Sequence, residues 1–160
     1  MPSSLCGKKK KTLRLLIFMA IHIYKNNLIF KKNKMTSQEN SLNWFEISVK
    51  DIKRAKKFYE TIFGIKMQEM DMMGTQMAFF PFDPTSGKAN GGLCQSKMHK
   101  PSKSGVLIYL NANPDLKKAL SKVEKAGGQI TMPKTSLGEN GFMAFFIDTE
   151  GNSIGLHSNK

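Results

Sequence analysis

The feature that most restricts the fold of this chain is an internal repeat. The tetrapeptide Met-Ala-Phe-Phe begins at Met77 and again at Met143, a separation of 66 residues. Three more pairs recur at nearly the same separation: Asp51 with Asp115, Gly64 with Gly127 or Gly128, and Gly92 with Gly155. Such a constant offset indicates that one structural unit has been duplicated along the chain.

The hydrophobic pattern shows what the repeated unit is. Apolar and polar residues alternate over 42–49, which predicts a strand with Phe45, Ile47 and Val49 on one face and Trp44, Glu46 and Ser48 on the other. A helix is then predicted to begin after Asp51 and to end at Gly64. Three short extended runs follow, at 65–72, 76–82 and 91–95.

The second copy has the same order of elements. An apolar run at 106–110 precedes Asn113, which is predicted to cap a helix whose first residue is Pro114. Strands are predicted at 129–132, 142–148 and 153–157. The sequence therefore predicts an α+β fold of two tandem βαβββ modules, residues 42–96 and 105–158, in a domain spanning 35–160. Because neither module can cover its own sheet, we expect the two to form a curved mixed sheet around a cleft.

Charge is concentrated in residues 1–34, which hold nine basic residues and no acidic one. The remaining chain holds 16 basic residues (25 − 9) against 12 acidic ones, and this small excess gives no reason to expect a nucleic acid as partner. The apolar run 13–24 is interrupted by Arg14 and His22 and is shorter than a membrane-spanning helix, which needs about 20 residues. We predict no membrane partner.

Three origins are open for this basic leader. It could precede a true translation start at Met35, act as an export signal, or form a tail that binds a membrane surface or a nucleic acid. The first alternative predicts a disordered leader or one that is absent from the native protein. With only Cys6 and Cys94 there is no disulfide framework, which favours a reducing compartment and a cytoplasmic location.

Two stretches carry a resemblance to a known family. These are Trp44-Phe-Glu-Ile-Ser-Val-Lys-Asp with the following helix, and Phe145-Phe-Ile-Asp-Thr-Glu-Gly-Asn-Ser-Ile-Gly-Leu. Together with the repeat, they resemble the vicinal oxygen chelate (VOC) superfamily, which includes glyoxalase I, bleomycin resistance proteins and extradiol dioxygenases. The likeness extends from Leu42 to His157 and is strongest to small glyoxalase-related proteins.

The resemblance also implies where a metal would bind. Family members with known chemistry hold a divalent metal with four ligands from the first and last strands of each module. Here those positions hold Trp44, Gly92, Ile108 and Gly155, none of which has a side chain that can coordinate a metal. We therefore expect no metal and no other cofactor.

The predicted site consists of residues that would line the cleft. The set is Trp44, Glu46, Ser48, Cys94, Ile108, Leu110, Gly155 and His157. Glu46 is the candidate catalytic residue, because a carboxylate between Phe45 and Ile47 must find a hydrogen-bond partner or shift its pKa; it could equally be a structural carboxylate. Cys94 could be a buried apolar residue and His157 a frayed terminal one. His99 is assigned no role.

Three functions are compatible with these residues. The first is a metal-free module that binds a small, partly apolar molecule in the cleft. The second is a glyoxalase-like lyase or isomerase that uses Glu46 as general base, or a metal held by ligands outside the expected positions. The third is a non-catalytic interaction module whose cleft is filled by side chains. Members of the resembled family commonly form dimers, so a homodimer is a possible assembly.

Overall fold

The computed structural model describes residues 40–72 and 74–160, and Leu42–Lys160 form one compact unit. The predictions about residues 1–34 lie outside the described residues. In the part of the chain that is described, no helix is both long and apolar enough to cross a membrane.

Each module contains one helix and four strands. In the first module these are β1 (Trp44–Ser48), α1 (Ile52–Phe63), β2 (Gln68–Met72), β3 (Thr75–Phe79) and β4 (Asn90–Gln95). In the second they are β5 (Tyr109–Asn111), α2 (Lys117–Val123), β6 (Gln129–Ser136), β7 (Phe142–Ile147) and β8 (Ser153–Ser158), with a 3-10 turn at Gly138–Asn140. The predicted α+β fold of two βαβββ modules is confirmed.

The strands form two mixed sheets of the same topology. Sheet 1 has the order β1-β4-β3-β2 and sheet 2 the order β5-β8-β7-β6. In each sheet the first and last strands of the module pair in parallel, and the other pairs are antiparallel. Within the described residues no ladder joins the two sheets.

One hydrophobic core lies between the inner faces of the sheets. The two helices contact each other and supply much of this core, and buried residues of both sheets close it. The Phe58 ring of α1 lies 5.8 Å from the Phe146 ring of β7, so the helix of one module packs on the sheet of the other. The opposite, outer face of each sheet is therefore turned away from the helix layer.

Helix α1 begins and ends as its sequence predicts. The Asp51 carboxylate accepts a hydrogen bond from the Arg54 amide at 3.0 Å, and Gly64 ends the helix with a φ of 67°. The left-handed conformation at Gly64 costs little because glycine has no Cβ. The buried side of the helix consists of Ile52, Ala55, Phe58, Tyr59 and Ile62.

The start of helix α2 differs from the prediction. The helix begins at Lys117, so Asn113 does not cap it and Pro114 is not its first residue. The Leu116 amide instead donates to Ser158 Oγ at 2.9 Å. Locally, Asp115 Oδ1 accepts from the Lys117 amide at 3.0 Å. The contact with the hydroxyl of the last strand is a tertiary one, which the local sequence pattern cannot indicate.

A buried polar turn at residues 148–152 joins the modules. Asp148 Oδ2 accepts from the Tyr59 hydroxyl at 2.8 Å, and the Asn152 amide group donates to the Ser48 carbonyl at 2.8 Å. Glu150 accepts from the backbone amides of Lys50 and Asp51. Since β1 ends at Ser48, this turn fixes the end of the first strand relative to the second module.

Candidate functional site

The outer face of sheet 1 carries half of the predicted site. Trp44, Glu46 and Ser48 occupy this face of β1, whereas Ile47 and Val49 are buried in the core. Parallel pairing places Cys94 of β4 beside Ser48. Around these residues the face is apolar, and it carries Met70, Met72, Met77 and Phe79, with Met70 and Met72 about half exposed.

Glu46 is at the centre of a hydrogen-bonded cluster on this face. Its Oε1 accepts from the Trp44 indole Nε1 at 3.2 Å, and its Oε2 lies 2.9 Å from His99 Nε2. Trp44 and His99 thus supply the hydrogen-bond partners that the Glu46 carboxylate needs. Both contacts leave the group partly exposed, with 34% of its side-chain surface accessible to solvent.

His99 is a member of this cluster that the sequence analysis missed. It lies in the loop after β4, and its Nδ1 is 2.7 Å from Ser96 Oγ and 3.4 Å from Cys94 Sγ. The only sequence signal was its position five residues after Cys94. Periodicity describes strands and helices, so it does not show that a polar loop folds back over the face of the sheet.

The Cys94 thiol is not set up as a nucleophile. Its side chain is buried, and burial together with the nearby negative charge of Glu46 raises its pKa to about 11. The thiolate is the reactive form of cysteine, and at neutral pH such a group is protonated. As a free thiol, Cys94 is therefore not a reactive nucleophile.

Ile108 and Leu110 do not face the same way as Glu46 and Cys94. Leu110 is buried in the core. Ile108, on the same face of the chain, is partly buried and packs against this core. Their predicted position was found by counting back from Asp115. Asp51 and Asp115 are 64 residues apart, whereas Gly92 and Gly155 are only 63 apart. The count from Asp115 is therefore one residue off along β5. A shift of one residue reverses the faces of a strand, so the expectation that these two side chains share a face with Glu46 and Cys94 was wrong.

Gly155 and His157 lie on the outer face of sheet 2. Tyr109 pairs with Gly155, and the ring of Tyr109 lies over the position that a Gly155 side chain would take. His157 Nε2 is 2.8 Å from the Asn140 carbonyl, so this imidazole is held by the protein rather than frayed. The eight predicted residues are thus divided among two outer faces and the core. Among the described residues, no hydrogen bond or ring contact links the two outer faces.

Comparisons with known proteins agree with this architecture. The model of the Glyoxalase/Bleomycin resistance protein/Dioxygenase superfamily matches residues 41–156, nearly three quarters of the chain. The chain belongs to this superfamily. A "Glyoxylase-like domain-containing protein" from Didymella fabae is 34% identical over 120 residues, which cover 70% of this chain and 88% of that protein.

Two other superfamily members are longer than this chain. The protein named "Putative glyoxylase CFP32" from Mycobacterium bovis is 26% identical over 121 residues, which cover 74% of this chain but only 46% of that protein. A crystal structure of a glyoxalase I variant from Zea mays has a TM-score of 0.58 and 23% identity, and the match covers 73% of this chain and 46% of that one. The chain thus spans about half the length of these two relatives, and the likeness to the solved structure shows the fold.

The superfamily metal does not fit the positions at which its ligands are expected. A Cβ atom added at Gly92 would lie 2.8 Å from the Ala78 carbonyl oxygen, and one at Gly155 would lie 2.7 Å from the Tyr109 ring. Neighbouring atoms therefore fill the space that two of the four ligand side chains need. Trp44 and Ile108 at the other two positions have no lone pair to donate.

A groove also lies between the two modules, but it is separate from the Glu46 cluster. It has a volume of about 700 Å³, and its walls include Phe45, Phe80, Tyr109 and Leu110. Leu110 is the only one of the eight predicted site residues among those that line it. The candidate functional site within the described residues is accordingly the outer face of sheet 1, where the polar cluster and the apolar surface meet.

Proposed function

We propose that this superfamily member binds a small, partly apolar molecule on the outer face of sheet 1, without a metal at the superfamily positions. One observation carries the proposal: a partly exposed carboxylate, Glu46, is held in place by Trp44 and His99 on a surface of methionine and aromatic side chains. An apolar wall with a few oriented polar groups is typical of small-molecule sites.

The chemistry of the face favours an aromatic ligand with a hydroxyl or cationic group. Trp44 lies 5.7 Å from Phe79, ring centroid to centroid, and the pair offers an aromatic surface. A carboxylate accepts hydrogen bonds and attracts a positive charge but repels an anion. Flexible methionine side chains adapt to ligands of different outline.

Trp44 is the only tryptophan in the chain, so its fluorescence reports directly on this face. We expect 2-phenylethylamine to change the emission at lower concentration than phenylacetate, its anionic counterpart, in protein that has been treated with EDTA. The difference should be lost in Glu46→Gln and kept in Glu69→Gln, which changes an exposed carboxylate of β2 that pairs with Lys56 instead. Equal responses to both compounds, or no response to either, would contradict the proposal.

A second candidate function is acid–base catalysis of the lyase or isomerase kind. It is favoured by the 2.9 Å contact between Glu46 and His99, because a carboxylate and an imidazole in contact can share a proton during turnover. The test is exchange of the hydrogens beside the carbonyl of dihydroxyacetone in D2O, followed by NMR. Unchanged exchange in Glu46→Gln would remove Glu46 as the base.

The proposal includes a homodimer in the cytoplasm. Trp44 and Met70 are exposed on one outer face and Tyr109 on the other, so a second copy could bring the two faces together and close the cleft that one chain leaves open. Cys94, the cysteine among the described residues, is a free thiol, which favours a reducing compartment. Sedimentation analysis that shows only a monomer at all concentrations would contradict the dimer.

A further inference from the structure

Three residues with metal-binding atoms meet on the outer face of sheet 1. They are Glu46 of β1, Cys94 of β4 and His99 of the following loop, and one potential ligand atom from each lies within 4.8 Å of the other two. None of them occupies a position at which the superfamily metal ligands are expected. All three come from the first module and the loop that follows it, so the group is complete within one chain.

The separations are close to those of a tetrahedral zinc site. Zinc–sulfur bonds of about 2.3 Å and zinc–nitrogen bonds of about 2.0–2.1 Å place the two ligand atoms about 3.6 Å apart. Cys94 Sγ and His99 Nδ1 are 3.4 Å apart. A cation bound at this nitrogen displaces the Ser96 hydroxyl, which now contacts Nδ1, and requires the Glu46 carboxylate to turn from His99 Nε2 towards the metal.

The surroundings already orient two of these ligands. The Trp44 indole donates to Glu46 Oε1 at 3.2 Å, which limits the rotation of the carboxylate. Cys94 is held on a central strand with β1 on one side and β3 on the other. Outer groups that fix ligand orientation in this way commonly strengthen metal binding.

We propose that Glu46, Cys94 and His99 form a zinc-binding site with an open fourth position. A ligand set of one thiolate, one imidazole and one carboxylate suits zinc, and cobalt as its spectroscopic substitute, better than magnesium or calcium. Three protein ligands leave the fourth position to water or to a bound molecule, since the face is open to solvent. The inference goes beyond the proposed function, which does not depend on a metal.

The test uses the full chain, freed of metal by EDTA and then titrated with zinc or cobalt. We expect one equivalent of zinc to bind, and one equivalent of cobalt to give a thiolate charge-transfer band in the near ultraviolet. Cys94→Ser and Cys94→Ala should abolish this band. His99→Ala and Glu46→Gln should weaken zinc binding by about tenfold or more, since each removes one of only three ligands.

Matched controls separate this site from the other cysteine and from another histidine. Cys6→Ala and His157→Ala should retain both the stoichiometry and the cobalt band, and circular dichroism shows whether each variant is folded. A band that survives in a folded Cys94→Ser protein but disappears in Cys6→Ala would overturn the inference, as would the absence of a bound equivalent. Loss of zinc binding with retained ligand-induced Trp44 fluorescence would leave the proposed function intact.

Discussion

The Arg54 guanidinium in α1 binds both oxygens of Glu150 in the second module. Its Nε donates to Oε1 at 2.7 Å and its Nη2 donates to Oε2 at 3.0 Å. The Glu150 side chain is fully buried, whereas half of the Arg54 side chain is exposed. Because Glu150 also accepts the amides of Lys50 and Asp51, it links the start of α1 to the turn before β8.

Replacement of Glu150 by alanine should destabilise the protein by about 2–4 kcal/mol, since it leaves two backbone amides without their acceptor and removes a bidentate ion pair. The free energy of unfolding from urea titrations is the measurement. The matched control is Glu69→Ala, which breaks an exposed pair with Lys56 and should cost less than about 1 kcal/mol. Equal effects of the two substitutions would show that Glu150 does not join the modules as described.

Glu150 should also make stability depend on acid pH. Burial alone would raise the pKa of Glu150, but hydrogen bonds from Arg54 and from the amides of Lys50 and Asp51 more than offset it, so the pKa lies below the ordinary value. With a folded-state pKa below that of the unfolded chain, the stabilisation is full above the ordinary glutamate value of 4.5 and is lost as pH falls through the folded-state pKa. The unfolding free energy should drop more between about pH 5 and pH 3 in the wild type than in Glu150→Gln. Parallel pH profiles would contradict this assignment.

Tyr59 provides the corresponding prediction at alkaline pH. Burial, reinforced by the negative charge of Asp148, raises the pKa of Tyr59 well above its ordinary value of 10. The fold therefore holds the protonated phenol, and its contribution to stability declines as pH rises above about 10. Tyr59→Phe should lose about 1–2 kcal/mol at neutral pH, because Asp148 loses one hydrogen bond, and should show a smaller further loss above pH 10. A Tyr109→Phe variant, which changes an exposed tyrosine, is the control.

The two glycines at the superfamily ligand positions should differ in their tolerance of a side chain. At Gly92 the obstacle to a Cβ is the backbone carbonyl of Ala78 in a paired strand, which cannot move aside easily. At Gly155 the obstacle is the ring of Tyr109, which is half exposed and can rotate. We expect Gly92→Ala to lower the melting temperature more than Gly155→Ala. The reverse order would mean that the strand pairing between β3 and β4 yields more readily than the Tyr109 ring.

Much of the first module could be predicted from its sequence because its signals are local. Asp51 caps α1 and Gly64 ends it, and both act within a few residues of their own position. The alternation of Trp44, Phe45, Glu46 and Ile47 determines which side chains enter the core. In the second module the same approach was wrong at Asn113 and Pro114, because the start of α2 is held by Ser158 from the other end of the module.

The candidate site shows the same division. The alternation of β1 placed Glu46 and Trp44 on one face, and the ligand positions implied by the superfamily resemblance placed Cys94 in the cleft with them. The structure shows that Cys94 pairs with Ser48 of β1. The contact of His99 with Glu46 joins residues 53 positions apart through a loop that has no periodicity. Ile108 and Leu110 were assigned to the wrong face because Asp51 and Asp115 are 64 residues apart, whereas Gly92 and Gly155 are 63 apart, so a count from Asp115 is one residue off.

By itself, the sequence determined the duplicated βαβββ unit and the residues that can enter the core, since these follow from the period of apolar residues and from caps that act over short distances; the superfamily was indicated by the resemblance of the Trp44 and Phe145 stretches. Only the tertiary structure decided that the outer faces point away from a shared helix layer, and that Glu46, Cys94 and His99 meet on one of them. The physical reason is that the pairing of strands and the path of a loop depend on contacts between distant residues. The local pattern of apolar and polar side chains does not indicate those contacts.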